Sequence, residues 1–187
     1  MTLFKIGRPL DPSTEMDNNH TAEANKYFAL FEKKSILAYL PNLKENEDFS
    51  YFTKGLNTHE VLVKLLEIAG PADVAIANYS LTELPMRVLS QLKEKGAIKR
   101  LEMLLDKTVY RTPKLRAFAI EISDDIAFTE IHAKVILIKS EHKHLVFVSS
   151  SNLTKNHRYE VGSIIDNVSK FQFFERKIKQ LIDEYRD

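Results

Sequence analysis

The chain has 187 residues, 44% of them hydrophobic and 28% charged, a length and balance that suit one folded domain with a substantial core and exclude disorder throughout. Its 27 basic and 26 acidic residues leave a net charge of +1, so attraction to nucleic acid or an anionic surface must come from local patches. Cysteine is absent, which excludes disulfides, thiolate metal sites and thiol catalysis. Residues 1–9 lack the apolar core of a signal peptide, and no apolar run of about 18 residues occurs. The expectation is a soluble, cytoplasmic protein with no stable membrane association.

Residues 1–25 carry Pro12, Ser13, Thr14, Glu15, Asp17, Asn18 and Asn19 with little apolar periodicity, and read as an N-terminal arm or loop ahead of one α/β domain at 26–187. Tyr27, Phe28, Leu30, Phe31, Ile36, Leu37 and Leu40 then form a dense apolar segment whose period does not separate one helix from a helix plus a strand; Pro41 ends it. Phe49, Tyr51 and Phe52 alternate with polar residues as in a short strand. Thr58 suits the N-cap of a helix with the stripe Val61, Leu62, Leu65, Leu66 and Ile68, stopped by Gly70 and Pro71.

Residues 72–79 read as a buried strand, 82–95 as a helix closed by Gly96, and 98–105 as a further strand ending at Asp106. This alternation is the rhythm of a parallel sheet, which places ligands at the C-terminal ends of its strands and so brings forward Asn78, Tyr79, Ser80 and Asp106. A helix over 113–122 starts at Thr112, and 126–129 suits another strand. From Ser169 the chain is an amphipathic helix with the stripe Phe171, Phe174, Ile178, Leu181, Ile182 and Tyr185.

Between these last elements, two apolar, β-branched runs, Ile131 to Ile138 and His144 to Leu153, bracket the polar tip Ser140, Glu141, His142 and Lys143, the pattern of two buried strands joined in a hairpin. Strand alternation puts His132 and Lys134 on one face about 7 Å apart, near enough to share one phosphate. Beyond the second run, Ser150 and Asn152 share a parity and offer a hydroxyl and an amide to phosphate oxygens. Lys155, His157 and Arg158 follow, either as a solvated loop or as a cationic rim. His142 and His144 have no carboxylate pair beside them to complete a metal site, no Gly-x-Ser-x-Gly surrounds the serines, and no glycine-rich phosphate loop is present.

The order His132-x-Lys134, strand, Ser150-x-Asn152, with Glu160 downstream, resembles the signature of the phospholipase D superfamily, which includes phospholipases, phosphodiesterases and small nucleases. The resemblance runs from Asn57 to Asp166. It implies an α/β fold with a mixed, largely parallel sheet flanked by helices on both faces. It also implies catalytic roles for His132, Lys134, Ser150, Asn152 and Glu160, substrate contacts from Tyr79 and Ser80, and neither metal nor cofactor; the substrate contacts expected of Lys155, His157 and Arg158 rest on their place as a cationic rim after the motif. By that resemblance His132 attacks phosphorus, a second histidine protonates the leaving oxygen, and water releases the product.

Only one such motif occurs in the chain, so the resemblance implies a homodimer in which two copies share a site. A nucleic acid, DNA or RNA, is the expected substrate; a non-catalytic phosphate- or nucleic-acid-binding module and a phospholipase remain as alternatives. Two positions depart from the family pattern: Lys139 where aspartate is usual, and Ser149 where glycine is usual. Along a regular strand Lys139 lies about 23 Å from His132 on the opposite face, which places that change in the scaffold.

Overall fold

The computed structural model describes residues 26–29, 36–38, 40, 43–155 and 157–186. The arm expected at 1–25 lies outside the described residues, as does much of the segment before Pro41. Eight strands form one sheet: β1 (Lys26–Ala29), β2 (Asp48–Lys54), β3 (Ala72–Asn78), β4 (Ile98–Asp106), β5 (Asp125–Thr129), β6 (Lys134–Lys139), β7 (His144–Ser149) and β8 (Tyr159–Asp166). Besides residues 36–38, which are also helical, the helices among the described residues are α1 (Thr58–Ala69), α2 (Glu83–Glu94), α3 (Lys107–Tyr110), α4 (Pro113–Ile122) and α5 (Val168–Tyr185).

Strand order across the sheet is β1-β2-β8-β7-β6-β3-β4-β5. The sheet is mixed, as expected, but its parallel part is smaller than the helix–strand rhythm implies. β1 with β2, β3 with β4 and β4 with β5 run parallel, and the four pairings from β2 through β8, β7 and β6 to β3 are antiparallel. Connection length explains the difference. A parallel crossover needs about a dozen residues or more, and the connections from β6 to β7 and from β7 to β8 are too short for one.

Helices cover both faces. On one, Val61, Leu62, Leu65 and Leu66 of α1, Met86 and Leu89 of α2, and Ala119 and Ile122 of α4 pack with Val74, Ile76, Leu101, Met103, Ile136, Ile138 and Phe147 of the sheet. On the other, Phe171, Ile178 and Ile182 of α5 pack with Ala77, Leu104, Val135, Leu137 and Val146. The alternation of β6 between these two cores is what fixes its register, since a slip of one residue would exchange its faces.

Helix ends follow their sequence signals with one change. Gly70 and Gly96 take positive φ values of 75° and 72° where α1 and α2 stop, a backbone region that suits glycine. Asn57, not Thr58, precedes the first helical residue of α1, its backbone N–H donating to Glu60 Oε2 at 3.3 Å. Thr58 is buried instead, and its hydroxyl donates to the carbonyl of Ser151 at 3.3 Å, tying α1 to the segment that follows β7.

Gly162 of β8 is set opposite Tyr51 of β2 on one side and Ser149 of β7 on the other. A Cβ there would stand 2.5 Å from Tyr51 Oη and 2.6 Å from the Val148 carbonyl oxygen, and the backbone atom cannot swing aside. Gly162→Ala is therefore expected to lose on the order of 2 kcal/mol of stability by overpacking, measured as a lowered urea midpoint. An unchanged midpoint would contradict this packing.

Candidate active site

One end of the sheet gathers the residues singled out from the sequence. Because β6 and β8 run against their neighbours, their first residues lie beside the last residues of β3, β7 and β2: Asn78 opposite Lys134, Gly162 opposite Ser149, and Thr53 opposite Glu160. Lys134 and Glu160 share the sheet face on which Ile136 and Ile164 join the α1, α2 and α4 core.

His132 precedes the first ladder residue of β6, so it stands on a loop and not on the strand itself. Other bonds hold that loop. Ile131 donates its N–H to Asp106 at 3.1 Å, and Tyr79 donates its N–H to the Ala133 carbonyl at 3.1 Å. The Tyr79 ring lies against the exposed imidazole with centroids 4.7 Å apart, and Lys134 Nζ stands 5.5 Å from the centre of the same ring. Lys134 Nζ is 3.5 Å from His132 Nδ1 and donates to the His132 carbonyl at 3.0 Å. The expected association of His132, Lys134 and Tyr79 is thus present. Ser80, next along the chain from Tyr79, accepts from the Asn78 amide through its backbone carbonyl.

The segment after β7 is pinned on several sides. Ser150 donates its N–H to the Val161 carbonyl at 2.8 Å, Ser151 donates its N–H to Ser149 Oγ at 3.0 Å, and Thr82 donates its N–H to the Leu153 carbonyl at 3.0 Å. The Ser150 hydroxyl donates to the buried carboxylate of Glu160 and accepts from the N–H of Val161 at 3.0 Å. A hydroxyl has one proton to give, so here Ser150 orients Glu160 and does not aim a donor at solvent. Asn152 Oδ1 is buried and has no hydrogen-bond partner among the described residues, in contrast to the atoms around it.

Lys155, His157 and Arg158 are exposed on the connection from β7 to β8, and Arg158 accepts from the N–H of Gly55 through its carbonyl at 3.1 Å. Lys139 is exposed at the far end of β6, in register with Asp73 of β3. That departure from the resembled motif therefore lies away from His132, as the strand geometry predicts.

Lys134 shares this end with the buried carboxylates of Glu160 and Asp106. Partial burial lowers the pKa of Lys134 from the ordinary lysine value, and the negative charge of Glu160 works against that shift. Lys134 forms no ion pair among the described residues, which leaves a half-buried ammonium facing an imidazole. Among the described residues no group of three or more His, Cys, Asp or Glu is placed to hold a metal ion.

Asp106 was legible as a strand-end residue, but its partner was not. Its carboxylate accepts from the N–H groups of Thr108 at 2.8 Å and of Ile131, capping α3 and anchoring the residue before His132. Burial pushes its pKa up, and the hydrogen bonds from Thr108, Ile131 and Lys107 outweigh that and hold it below the ordinary value. A depressed folded-state pKa stabilises the fold fully above the unfolded value of about 3.9, and this is lost as pH falls through the folded value. Asp106→Asn should therefore lower stability at pH 7 by on the order of 1–3 kcal/mol and show a shallower loss below about pH 4 than wild type in urea titrations. Parallel acid limbs in the two proteins would contradict the anchoring role.

No protein-family model matches the chain, and no curated protein matches it in sequence. Solved structures match it in shape. Nuc from Salmonella typhimurium, a phospholipase D family member, superposes with a TM-score of 0.56 at 19% identity over 75% of this chain and 98% of that one. NucT from Helicobacter pylori gives a TM-score of 0.56 at 19% identity over 73% of this chain and 97% of that one. A polyphosphate kinase from Porphyromonas gingivalis gives 0.52 at 14% identity over 75% of this chain and 26% of that one. At these identities the likeness is one of fold, and it meets the expectation raised by the sequence motif: the chain has a phospholipase D-like fold.

Proposed function

We propose that the chain is a metal-independent phosphodiesterase, a nuclease acting on DNA or RNA, in which His132 forms a transient phosphohistidine. The observation that carries this reading is the junction of an exposed imidazole, a half-buried ammonium without an ion pair among the described residues and a buried carboxylate at one sheet end, in a phospholipase D-like fold. Attack needs a ring nitrogen with a free lone pair; it is assigned to Nε2, with the proton of the neutral imidazole on Nδ1, the nitrogen 3.5 Å from Lys134 Nζ. A P–N bond forms as the P–O bond to the leaving group breaks. Water then attacks the phosphohistidine, the P–N bond breaks, and the imidazole is regenerated.

The leaving oxygen needs a proton, and one motif supplies one imidazole. The second is assigned to His132 of another copy of the chain, so the active species is a homodimer with a twofold axis between paired sites. The rate profile is then bell-shaped, because one imidazole must be free to attack while the other carries the proton. Lys134 and the Asn152 amide stabilise the charge that grows on the nonbridging oxygens; an amide can present its NH2 group where the buried carbonyl oxygen now lacks a donor. Ser150 sets Glu160, whose charge in turn supports the ammonium of Lys134.

Lys155, His157 and Arg158 are assigned to the phosphates flanking the scissile one, doubled by dimerisation, with Tyr79 and Ser80 lining the pocket. These cations would position polymer and take no part in the chemistry.

Turnover of bis(p-nitrophenyl) phosphate in excess EDTA is the direct test. Hydrolysis should persist in wild type, vanish in His132→Ala and Lys134→Ala, and fall about 100-fold in Asn152→Ala. Loss of activity in EDTA with recovery in magnesium would overturn the mechanism, and an active monomer by light scattering would overturn the shared site. For the polymer, DNA affinity should fall with salt at a log–log slope of about −0.9 per phosphate neutralised in a duplex, or about −0.7 in a single strand. Replacing Lys155 and Arg158 by alanine should flatten that slope and spare the small substrate. Unchanged binding would reject the rim, and salt-insensitive binding beside good lipid hydrolysis would favour a phospholipase.

A further inference from the structure

Ser149 stands where the resembled motif carries glycine, and its hydroxyl has two partners. Tyr51 Oη lies 3.0 Å from Ser149 Oγ, and the N–H of Ser151 donates to the same oxygen at 3.0 Å. Tyr51 belongs to β2, which is separated from β7 by β8. Its ring reaches Ser149 by crossing Gly162, the residue opposite both. The absence of a side chain at Gly162 leaves room for that crossing, since a Cβ would meet Tyr51 Oη at 2.5 Å.

The other end of the Tyr51 ring is fixed as well. It is 3% exposed and stacks on Phe147 with centroids 6.3 Å apart. Burial pushes its pKa up to about 12, against the opposing hydrogen bond from Ser149, so near neutral pH it is a phenol with a proton to share. The N–H that Ser149 holds belongs to the peptide joining Ser150 to Ser151. That peptide lies between the hydroxyl that reaches Glu160 and the side chain of Asn152.

We propose that Tyr51 and Ser149 are positioning residues: Tyr51, laid across Gly162, holds the Ser149 hydroxyl, which holds the Ser151 amide and so sets where Ser150 meets Glu160 and where Asn152 stands. The serine supplies by a hydrogen bond what a glycine must obtain from backbone conformation alone. The proposal rests on the phosphodiesterase reading for its kinetic consequences, and its structural consequence is measurable without turnover.

The experiment compares full-length wild type, Tyr51→Phe, Ser149→Ala, Ser149→Thr and the Tyr51→Phe/Ser149→Ala double variant. Turnover of bis(p-nitrophenyl) phosphate and exchange of the Ser151 amide by nuclear magnetic resonance are both recorded. Tyr51→Phe keeps the ring in its packing and removes the hydroxyl alone. Tyr51→Phe and Ser149→Ala should each lower kcat about ten-fold with KM changed by less than about two-fold, because the turn serves the transition state more than substrate affinity. Ser149→Thr, which keeps the hydroxyl, should restore kcat.

The double variant should be no slower than Ser149→Ala, because Tyr51 acts through Ser149. Ser151 amide exchange should accelerate in Tyr51→Phe and Ser149→Ala. Additive losses in the double variant, or a Ser149→Ala protein with wild-type kcat and wild-type exchange, would overturn the relay. Should wild type itself show no turnover, the phosphodiesterase reading falls and the Ser151 amide alone decides: faster exchange in the variants supports positioning, and unchanged exchange overturns it.

Discussion

The antiparallel pairing of β6 with β3 is the constraint on which the site depends. Had β6 joined the parallel run, its first residue would lie at the opposite end of the sheet from Asn78. Running antiparallel, it sets Lys134 directly across from Asn78 and carries His132 to the C-terminal ends of β3 and β4. The rule that α/β sheets bind ligands beyond their C-terminal strand ends then applies to residues at the start of a strand. The two-sided burial of β6, Ile136 and Ile138 in one core and Val135 and Leu137 in the other, makes this placement expensive to shift.

Around that pairing, loops are held by groups that take no direct part in the proposed chemistry. Asp106 holds Ile131, Tyr79 holds Ala133, Thr58 holds the Ser151 carbonyl, and Ser149 holds the Ser151 N–H. Buried carboxylates are costly unless satisfied, and here they are: Glu160 by Ser150, Asp106 by backbone amides, and Asp166 by Lys143 at the hairpin tip. The far end of the sheet is built differently, with Arg100, Glu102, Asp125 and Arg186 joined in ion pairs. Lys134 differs from these cations in having a carbonyl and an imidazole as neighbours, which leaves its charge available to an anion.

Much of this was legible in the sequence because the signals are local. Gly70 and Gly96 mark helix ends, Thr112 and Pro113 mark the start of α4, and the tip at Ser140 to Lys143 marks the hairpin, whose short connection already requires antiparallel strands. The same clue bore on the sheet as a whole, where the helix–strand rhythm describes only the flank from β3 to β5. His132 was expected on a strand, because parity assumes a ladder that in fact begins at Lys134. The pairing of Ser150 with Glu160 was not legible, since spacing locates both residues without saying that one spends its proton on the other. The contacts of Tyr51 with Ser149 and of Asp106 with Ile131 join residues 98 and 25 positions apart, and no local pattern reports them.

The proposed mechanism turns on a covalent bond between His132 and phosphorus. Quenching the wild-type protein during turnover of a phosphodiester and locating the adduct by mass spectrometry, under conditions that preserve acid-labile P–N bonds, would reveal it. The expected adduct is a phosphoryl group that still carries the ester substituent that did not leave, on the peptide carrying His132, absent from the His132→Ala protein and lost on acid treatment. Sustained wild-type turnover with no adduct on that peptide, together with turnover in His132→Ala, would contradict the mechanism.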